Sequence, residues 1–382
     1  MDAADFTADA PGELVRTTSG EDAFLPAPLP PTLVFDTETV LSLDRASSAL
    51  GELSGTGRLL PNPHLLIQPY LRREAVLSSR IEGTQSTLSD VYAAEAGQTQ
   101  LFEDDADVRE VRNYVAALEH GLHRIDELPL SLRLIRELHE RLMDGVRGGE
   151  HAGGFRSSQN FIGPPGATLA SASYVPPPPL EMKAALERLE LFLHDESLPP
   201  LVQIALAHYQ FEAIHPFLDG NGRVGRLLIT LFLSERGLLS QPLLYLSAWF
   251  ERTRTDYYRL LMRVSTHGDW NGWMRYFLEG VRVQATEAVA DAKRIVSLLD
   301  DYRQQLILDR ARQATYELLD GLSANPYVTV REAQQWLGVS NPTARAAIDD
   351  LVGYGILTEM SGRRWGKVYL AEELLGALRG DA

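Results

Sequence analysis

A mainly α-helical fold is predicted for this chain, interrupted once by a β-hairpin and ending in a winged helix-turn-helix domain. Three observations carry the prediction. Apolar residues recur at spacings of three and four over most of the 382 positions. The stretch 149–179 breaks that rhythm with Gly-Gly, Gly163-Pro164-Pro165-Gly166 and Pro176 to Pro179. The last part turns to short helical patterns followed by two β-rich runs.

Residues 1–30 are acidic and then proline-rich, which predicts a flexible tail and an extended lead-in rather than a domain. Helical patterns follow over 37–57 and 63–81, the second carrying Leu65, Ile67, Leu71 and Val76 and stopping before Gly83. The acidic run Glu103-Asp104-Asp105-Ala106-Asp107 supplies helix-start chemistry, after which Val108, Val111, Val115, Leu118 and Leu122 mark one buried face. Leu134, Ile135, Leu138 and Leu142 mark the next helix. Within 149–179, Phe161-Ile162 and Tyr174-Val175 are expected as the two short strands of the hairpin. Helices resume over 180–194, 199–214, 223–236, 256–264 and 271–308. A short helix beginning at Thr329 and ending near Gly338, a second over 341–352 capped by Ser340, and strands at 355–357 and 367–370 give the winged-helix order. Its wing tip is Ser361-Gly362-Arg363-Arg364. The expected division is a tail (1–30), an N-terminal helical region (31–122), a core (123–298) and a C-terminal domain with its connecting helix (299–382).

Composition narrows the function. Hydrophobic residues make up 45%, enough for a substantial core, and the formal charge is −16. That charge opposes general binding to nucleic acid or an anionic membrane, though a local basic site remains compatible with it. No cysteine is present, so disulfides and thiolate metal sites are excluded. The acidic start does not read as a secretory signal, and no apolar run nears the roughly 20 residues of a membrane helix. A soluble, cytoplasmic protein is expected.

Chemistry concentrates in His215-Pro216-Phe217-Leu218-Asp219-Gly220-Asn221-Gly222-Arg223-Val224-Gly225-Arg226. Pro216 ends one helix, and another begins near Asn221 with Val224, Leu227, Leu228, Leu231 and Phe232 on its apolar face. The loop between them lies at a helix N-terminus, where unpaired N–H groups attract anions. Arg223 and Arg226 leave the first turns on one face and can clamp phosphate oxygens. Asp219, a lone carboxylate among cations, suits a divalent metal shared with phosphates. His215 can accept a proton near neutral pH. The set describes phosphoryl or nucleotidyl transfer.

This segment resembles the signature of the Fic family, His-Pro-Phe-x-Asp/Glu-Gly-Asn-Gly-Arg-x-x-Arg, with every specified position present. Gly154-Phe155-Arg156, Asn160 and Val175-Pro176-Pro177 look like the segment around that family's flap, and the resemblance covers most of the chain after about residue 30. It implies a helical core with a β-hairpin flap that transfers AMP from ATP to Ser, Thr or Tyr hydroxyls of proteins. His215 would deprotonate the hydroxyl and Asp219 would bind Mg²⁺. Gly220, Asn221 and Gly222 would cradle the phosphates with Val224 and Gly225 beside them, and Arg223 and Arg226 would hold the outer phosphates. Tyr258 resembles the family's adenine-side tyrosine, with a purely structural role left open. Phe161, Ile162 and Gly163 would dock the target as an added strand. Gly222 departs from the kinase-like Doc branch.

Ser78-Ser79-Arg80-Ile81-Glu82-Gly83 fits the family's inhibitory-helix signature. Ser78 and Glu82 share a helix face, and the resemblance implies that Glu82 pairs with Arg226 and blocks the γ-phosphate. It also implies self-modification and makes a homodimer plausible. His208 invites a metal role with Asp219, but without a third suitably spaced ligand it reads as a packed histidine. DNA binding by the C-terminal domain stays open: Arg345, Arg363, Arg364 and Lys367 favour it, while Asp349, Asp350 and the net charge favour partner docking. Two other functions remain: a DNA-binding regulator whose core only senses ATP, and a related enzyme that uses another nucleotide or removes AMP.

Overall fold

In the computed structural model, residues 1–59, 64–95, 106–360 and 367–379 are described. Its centre is a helix that has almost no polar face. In α7 (Pro200–Ile214) every residue from Leu201 onward is buried except Glu212, as a helix apolar on all sides must be. Proline at its first position satisfies the need for a preset φ without wasting a donor. Helix α8 (Asn221–Glu235) returns beside it, and α5 (Leu132–Leu142), α6 (Pro179–Leu193) and α10 (Arg254–His267) enclose the pair. The long α11 (Trp270–Leu308) lines one flank, and its Trp273 donates an indole hydrogen bond to the Ala205 carbonyl at 2.9 Å.

Helix α1 (Thr37–Leu59) packs along α11, and α2 (His64–Ile81) lies across α4 (Ala106–Arg124) and the short α9 (Ser247–Arg252). Gly83, at φ +109, follows the end of α2 as its sequence position predicts. Helices α3 (Leu88–Glu95) and α9 were not expected; both are shorter than the window in which a 3.6-residue period becomes visible. The expected start signal Glu103–Asp105 lies outside the described residues.

The first residues depart from the expectation of a tail. Strands β1 (Gly12–Arg16) and β2 (Asp22–Pro26) form an antiparallel hairpin. Phe24 is fully buried, its ring 5.2 Å from that of Phe6, and its N–H donates to the Val175 carbonyl at 2.9 Å. The N-terminal ammonium bonds the Ala172 carbonyl. Acidic composition hid a short apolar run, Ala23-Phe24-Leu25, whose burial outweighs the entropy of ordering the segment.

At the C-terminus, α12 (Gln313–Ala324) precedes β3 (Tyr327–Thr329), α13 (Val330–Leu337), α14 (Asn341–Gly353), β4 (Thr358–Glu359), β5 (Val368–Leu370) and α15 (Glu372–Arg379). The strands form one antiparallel sheet in the order β3-β5-β4. Thr329 and Glu332 make a reciprocal capping box at the start of α13. Ser340 occupies the cap position of α14, but its hydroxyl bonds that of Thr343 at 2.9 Å instead of a backbone N–H. The strand expected at 355–357 lies at β4, because Gly355 takes φ +73 and turns the chain first. Arg363 and Arg364 lie outside the described residues. Helix α12 packs on α2, and the Tyr92 and Tyr327 rings stack at 6.4 Å.

Candidate active site

Helix α7 delivers His215 to the mouth of a cleft. Pro216 cannot donate the next helical hydrogen bond, and His215 takes a left-handed conformation, φ 50° and ψ 64°. A non-glycine residue there is strained by about 1 kcal/mol or more. Its surroundings hold it in place. The His215 N–H donates to the Phe211 carbonyl at 3.0 Å, and its own carbonyl accepts from Arg156 Nε at 2.9 Å. Arg156, almost fully buried, also donates to the carbonyls of Pro177, Ile214 and Ser158, while its N–H reaches the Pro216 carbonyl. One guanidinium thus ties the end of α7 to the segment that follows.

The imidazole of His215 is held neutral. Burial and then the Arg156 cation push it down to about 4, with Glu82, the Glu212 carbonyl and Asp219 pulling weakly the other way. Nδ1 is buried, which leaves Nε2 as the nitrogen for the cleft that the ring lines. A neutral ring beside open space is a proton acceptor.

The loop after His215 is braced from within. Phe217 is fully buried and stacks on the His139 ring, 3.7 Å between centroids. Asn221 accepts from the Phe217 N–H at 2.8 Å and donates to the Phe217 carbonyl at 2.9 Å, and Asn160 donates to that carbonyl too. The Asn221 side chain therefore shapes the cradle, whose anion donors are backbone N–H groups. His139 accepts from the Gly153 N–H at Nδ1, so its Nε2 carries the proton donated to the Asp219 carbonyl at 3.1 Å. At Gly220, φ is +79, and at Gly222 a Cβ would stand 2.3 Å from Glu82 Oε1. The first position needs glycine for backbone conformation, the second for space.

Both motif arginines are almost fully buried. Arg223 donates to Glu110 at 3.0 Å and lies 3.7 Å from Asp219. Arg226 turns entirely to α2, donating to Ser78 Oγ at 2.8 Å, the Ser78 carbonyl at 3.0 Å and Glu82 Oε1 at 2.7 Å. Burial would raise the Glu82 carboxyl, but the Arg226 guanidinium overcomes it and holds the group below its ordinary value, while Arg226 itself is pushed up by its pairing with Glu82. The structure thus joins Ser78, Glu82 and Arg226 across a sequence separation of more than a hundred residues.

A cleft of about 670 Å³ runs from this cluster to α10. Asp219, Gly222 and Arg226, from the loop and first turns of α8, line it together with Arg254, Tyr258, Leu261 and Met262 of α10. Tyr258 is 42% exposed with the Arg254 guanidinium over its ring, so it is not a core residue. Its neighbour Tyr257 is the buried one, bonded to His208 at 2.8 Å. His208 also bonds the Gly225 carbonyl and stacks between aromatic rings; it is a packed histidine.

Above the cleft, Ile162 and Tyr174 form a single antiparallel bridge rather than two strands, because a one-turn helix, Leu169–Ser171, fills part of the connection. Ile162 spends its N–H and carbonyl on Tyr174 and Ser173. By the alternation of a strand, Phe161 and Gly163 turn their backbone groups to the opposite edge. Among the described residues no cluster of three or more His, Asp or Glu is arranged to hold a metal. Asp219, with its side chain about half exposed beside the phosphate-sized nest, fits the single-carboxylate role that Mg²⁺ takes when phosphates complete its shell.

Sequence reasoning missed Glu110, His139 and Glu212, and it left Arg156 and Asn160 without roles. A polar His139 on the apolar stripe of α5 was the one legible signal. The others depend on contacts between distant segments.

Comparison with known proteins follows the same outline. Residues 40–123 match the family model described as Fic/DOC family N-terminal, and residues 129–233 match that described as Fic/DOC family. The proteins named "Protein adenylyltransferase Fic" of Drosophila grimshawi and Drosophila virilis are each 30% identical over 210 residues, which is 52% of this chain and 39% of theirs. The match therefore spans about two fifths of those relatives' length. A Fic family protein from Desulfovibrio desulfuricans G20 superposes with a TM-score of 0.58 at 22% identity, over 90% of this chain and 98% of its own. Fic-1 from C. elegans superposes with a TM-score of 0.53 at 23% identity, over 67% and 74%. At such identities the structural likeness speaks to the fold.

Proposed function

The chain belongs to the Fic/DOC family, and on that premise we propose that it is a protein adenylyltransferase that moves AMP from ATP to hydroxyl groups of proteins. The observation that carries the reading is the neutral His215 imidazole, which lines the cleft beside the N-terminal nest of α8. The target hydroxyl, lying against Nε2, gives up its proton as its oxygen bonds to the α-phosphorus; the α,β-bridging bond breaks and pyrophosphate leaves. The N–H groups of the first turn of α8 receive the phosphate oxygens. Arg223 stabilises the charge that develops on them, as Arg226 does once freed from Glu82. Asp219 would hold Mg²⁺, which supplies charge neutralisation to the phosphates when bound. Tyr258 packs against the base. The free edge at Phe161 and Gly163 suits an extended target segment, added by backbone hydrogen bonds. A segment of a second copy, or of the chain itself, meets the same requirements.

Glu82 opposes this chemistry. It occupies Arg226 at 2.7 Å, so a γ-phosphate entering there would lose its clamp and meet a carboxylate. Incubation with α-labelled ATP and Mg²⁺ tests both parts. Glu82→Gly should raise labelling severalfold or more over wild type, and His215→Ala in that background should lower it by about 10²–10⁴-fold. Labelling that survives His215→Ala would remove the base from the mechanism; labelling unchanged by Glu82→Gly would remove the inhibition.

A further inference from the structure

Glu212 stands one turn before His215 and has no part in the steps above. It lines the cleft, as Tyr209 and Ala213 of the same helix do, and within Leu201–Ile214 it alone is not fully buried. Its Oε1 is buried with no hydrogen-bond partner, although carboxylate oxygens out of water are normally paired. The space it occupies is made by a glycine: a Cβ on Gly225 would lie 2.4 Å from Oε1. An acceptor in a fitted site without a donor indicates a ligand that brings one.

Its place along the cleft narrows the donor. Arg226 and Glu82, beside the first turn of α8, are the charged groups that act on it most strongly. Its charge is the strongest acting on Tyr257, and it reaches Tyr258 after those of Glu82 and Arg226. Glu212 therefore lines the stretch of cleft that the Arg226 clamp and the two tyrosines share. In a nucleoside triphosphate with its phosphates at the nest and its base against Tyr258, the part between them is the sugar. Phosphate oxygens are acceptors and bring no donor, whereas ribose hydroxyls offer the donors that the Glu212 oxygen lacks.

We propose that Glu212 accepts hydrogen bonds from the ribose hydroxyls of the nucleotide and makes the site selective for ribonucleotides. The inference rests on the adenylyl-transfer reading and adds a specificity-determining residue to it. The same division of labour serves dinucleotide sites, where an acidic residue takes the ribose hydroxyl while a helix N-terminus takes the phosphates. Burial raises the Glu212 carboxyl to about 7 against the pull of Arg226, which is the cost of desolvation that a ligand donor offsets.

The test uses the full chain carrying Glu82→Gly and His215→Ala, so that Arg226 is free and no turnover occurs. Binding of ATP, 2′-deoxy-ATP and 3′-deoxy-ATP with Mg²⁺ is measured by calorimetry. ATP should bind about tenfold or more tightly than at least one deoxy analogue. Adding Glu212→Ala should bring all three to the weaker affinity. Glu212→Gln, which keeps the shape and one acceptor, should retain a reduced preference, and it decides the matter if the alanine variant fails to fold. Equal binding of the three nucleotides, or a preference that survives Glu212→Ala or is undiminished in Glu212→Gln, overturns the proposal while ATP binding stands. Absence of ATP binding altogether would instead bring down the nucleotide reading on which it depends.

Discussion

His215 is set by its neighbours more than by its own chemistry. Its left-handed backbone is held by Arg156 and by the Phe211 carbonyl, and its ring is kept neutral by burial and by that same arginine. The sign is definite: a histidine pushed below its ordinary 6.5 stays unprotonated as pH falls through the range where exposed histidines charge. In a histidine-labelled NMR titration, the His215 Cε1 proton should remain constant from pH 7.5 to about 5 and move only near 4. An Arg156→Gln variant should shift that midpoint upward, because the cation no longer opposes protonation. A wild-type midpoint near 6.5 would show an imidazole in water, contrary to the burial described above.

At the scale of the element, α2 joins the proposed inhibitory contact to the core. Glu74 and Ser78 lie four apart on one face, and Glu82 follows four further on, just past the helix end. Glu74 is almost fully buried and accepts hydrogen bonds from the Tyr114 hydroxyl at 3.0 Å and from both the hydroxyl and the N–H of Ser247. Burial raises its carboxyl despite these donors. The contacts fix α2 to α4 and α9, so that Ser78 and Glu82 meet Arg226 without further ordering. Glu74→Ala leaves the Tyr114 and Ser247 donors unpaired in the core. It should cost about 2–4 kcal/mol in denaturant unfolding. Because it frees the helix that Glu82 directly follows, it should also raise AMP labelling above wild type. A loss under 0.5 kcal/mol would mean that the packing of α2 does not depend on this anchor.

At the scale of the molecule, three histidines among the described residues are held neutral, His139 and His208 buried and His215 half-buried at the cleft. His139 is lowered to about 4, His208 to about 3 and His215 to about 4, burial being the largest cause in each. The unfolded chain takes up protons near 6.5 where the native chain does not. Their contribution to stability is therefore complete above that pH and is lost as pH falls toward 4. His208→Gln keeps a polar group against Tyr257 but cannot titrate. Its Tm should fall less steeply than that of wild type between pH 6.5 and 4.5, whatever its absolute stability. Parallel slopes would show that His208 titrates alike in both states.

Much of the architecture was legible because it rests on local rules. Periodicity predicts α2, α7, α8 and α11; Pro216 and Gly83 end helices where they stand; and the twelve residues from His215 to Arg226 carry their loop geometry and their family in one contiguous run. The pairing of Glu82 with Arg226 followed from the resemblance of two separate motifs. What the chain alone did not reveal depends on surfaces meeting at a distance. The β1–β2 hairpin is ordered because Phe24 finds a pocket beside Val175. His139 matters because Phe217 lies against it, and Arg156 because four carbonyls converge on it. Glu212 looked like one more charge on an apolar helix until the fold buried its oxygen against Gly225 and left it no donor. Spacing along a chain reports which residues share an element, whereas burial and the match of donors to acceptors exist only once the elements pack.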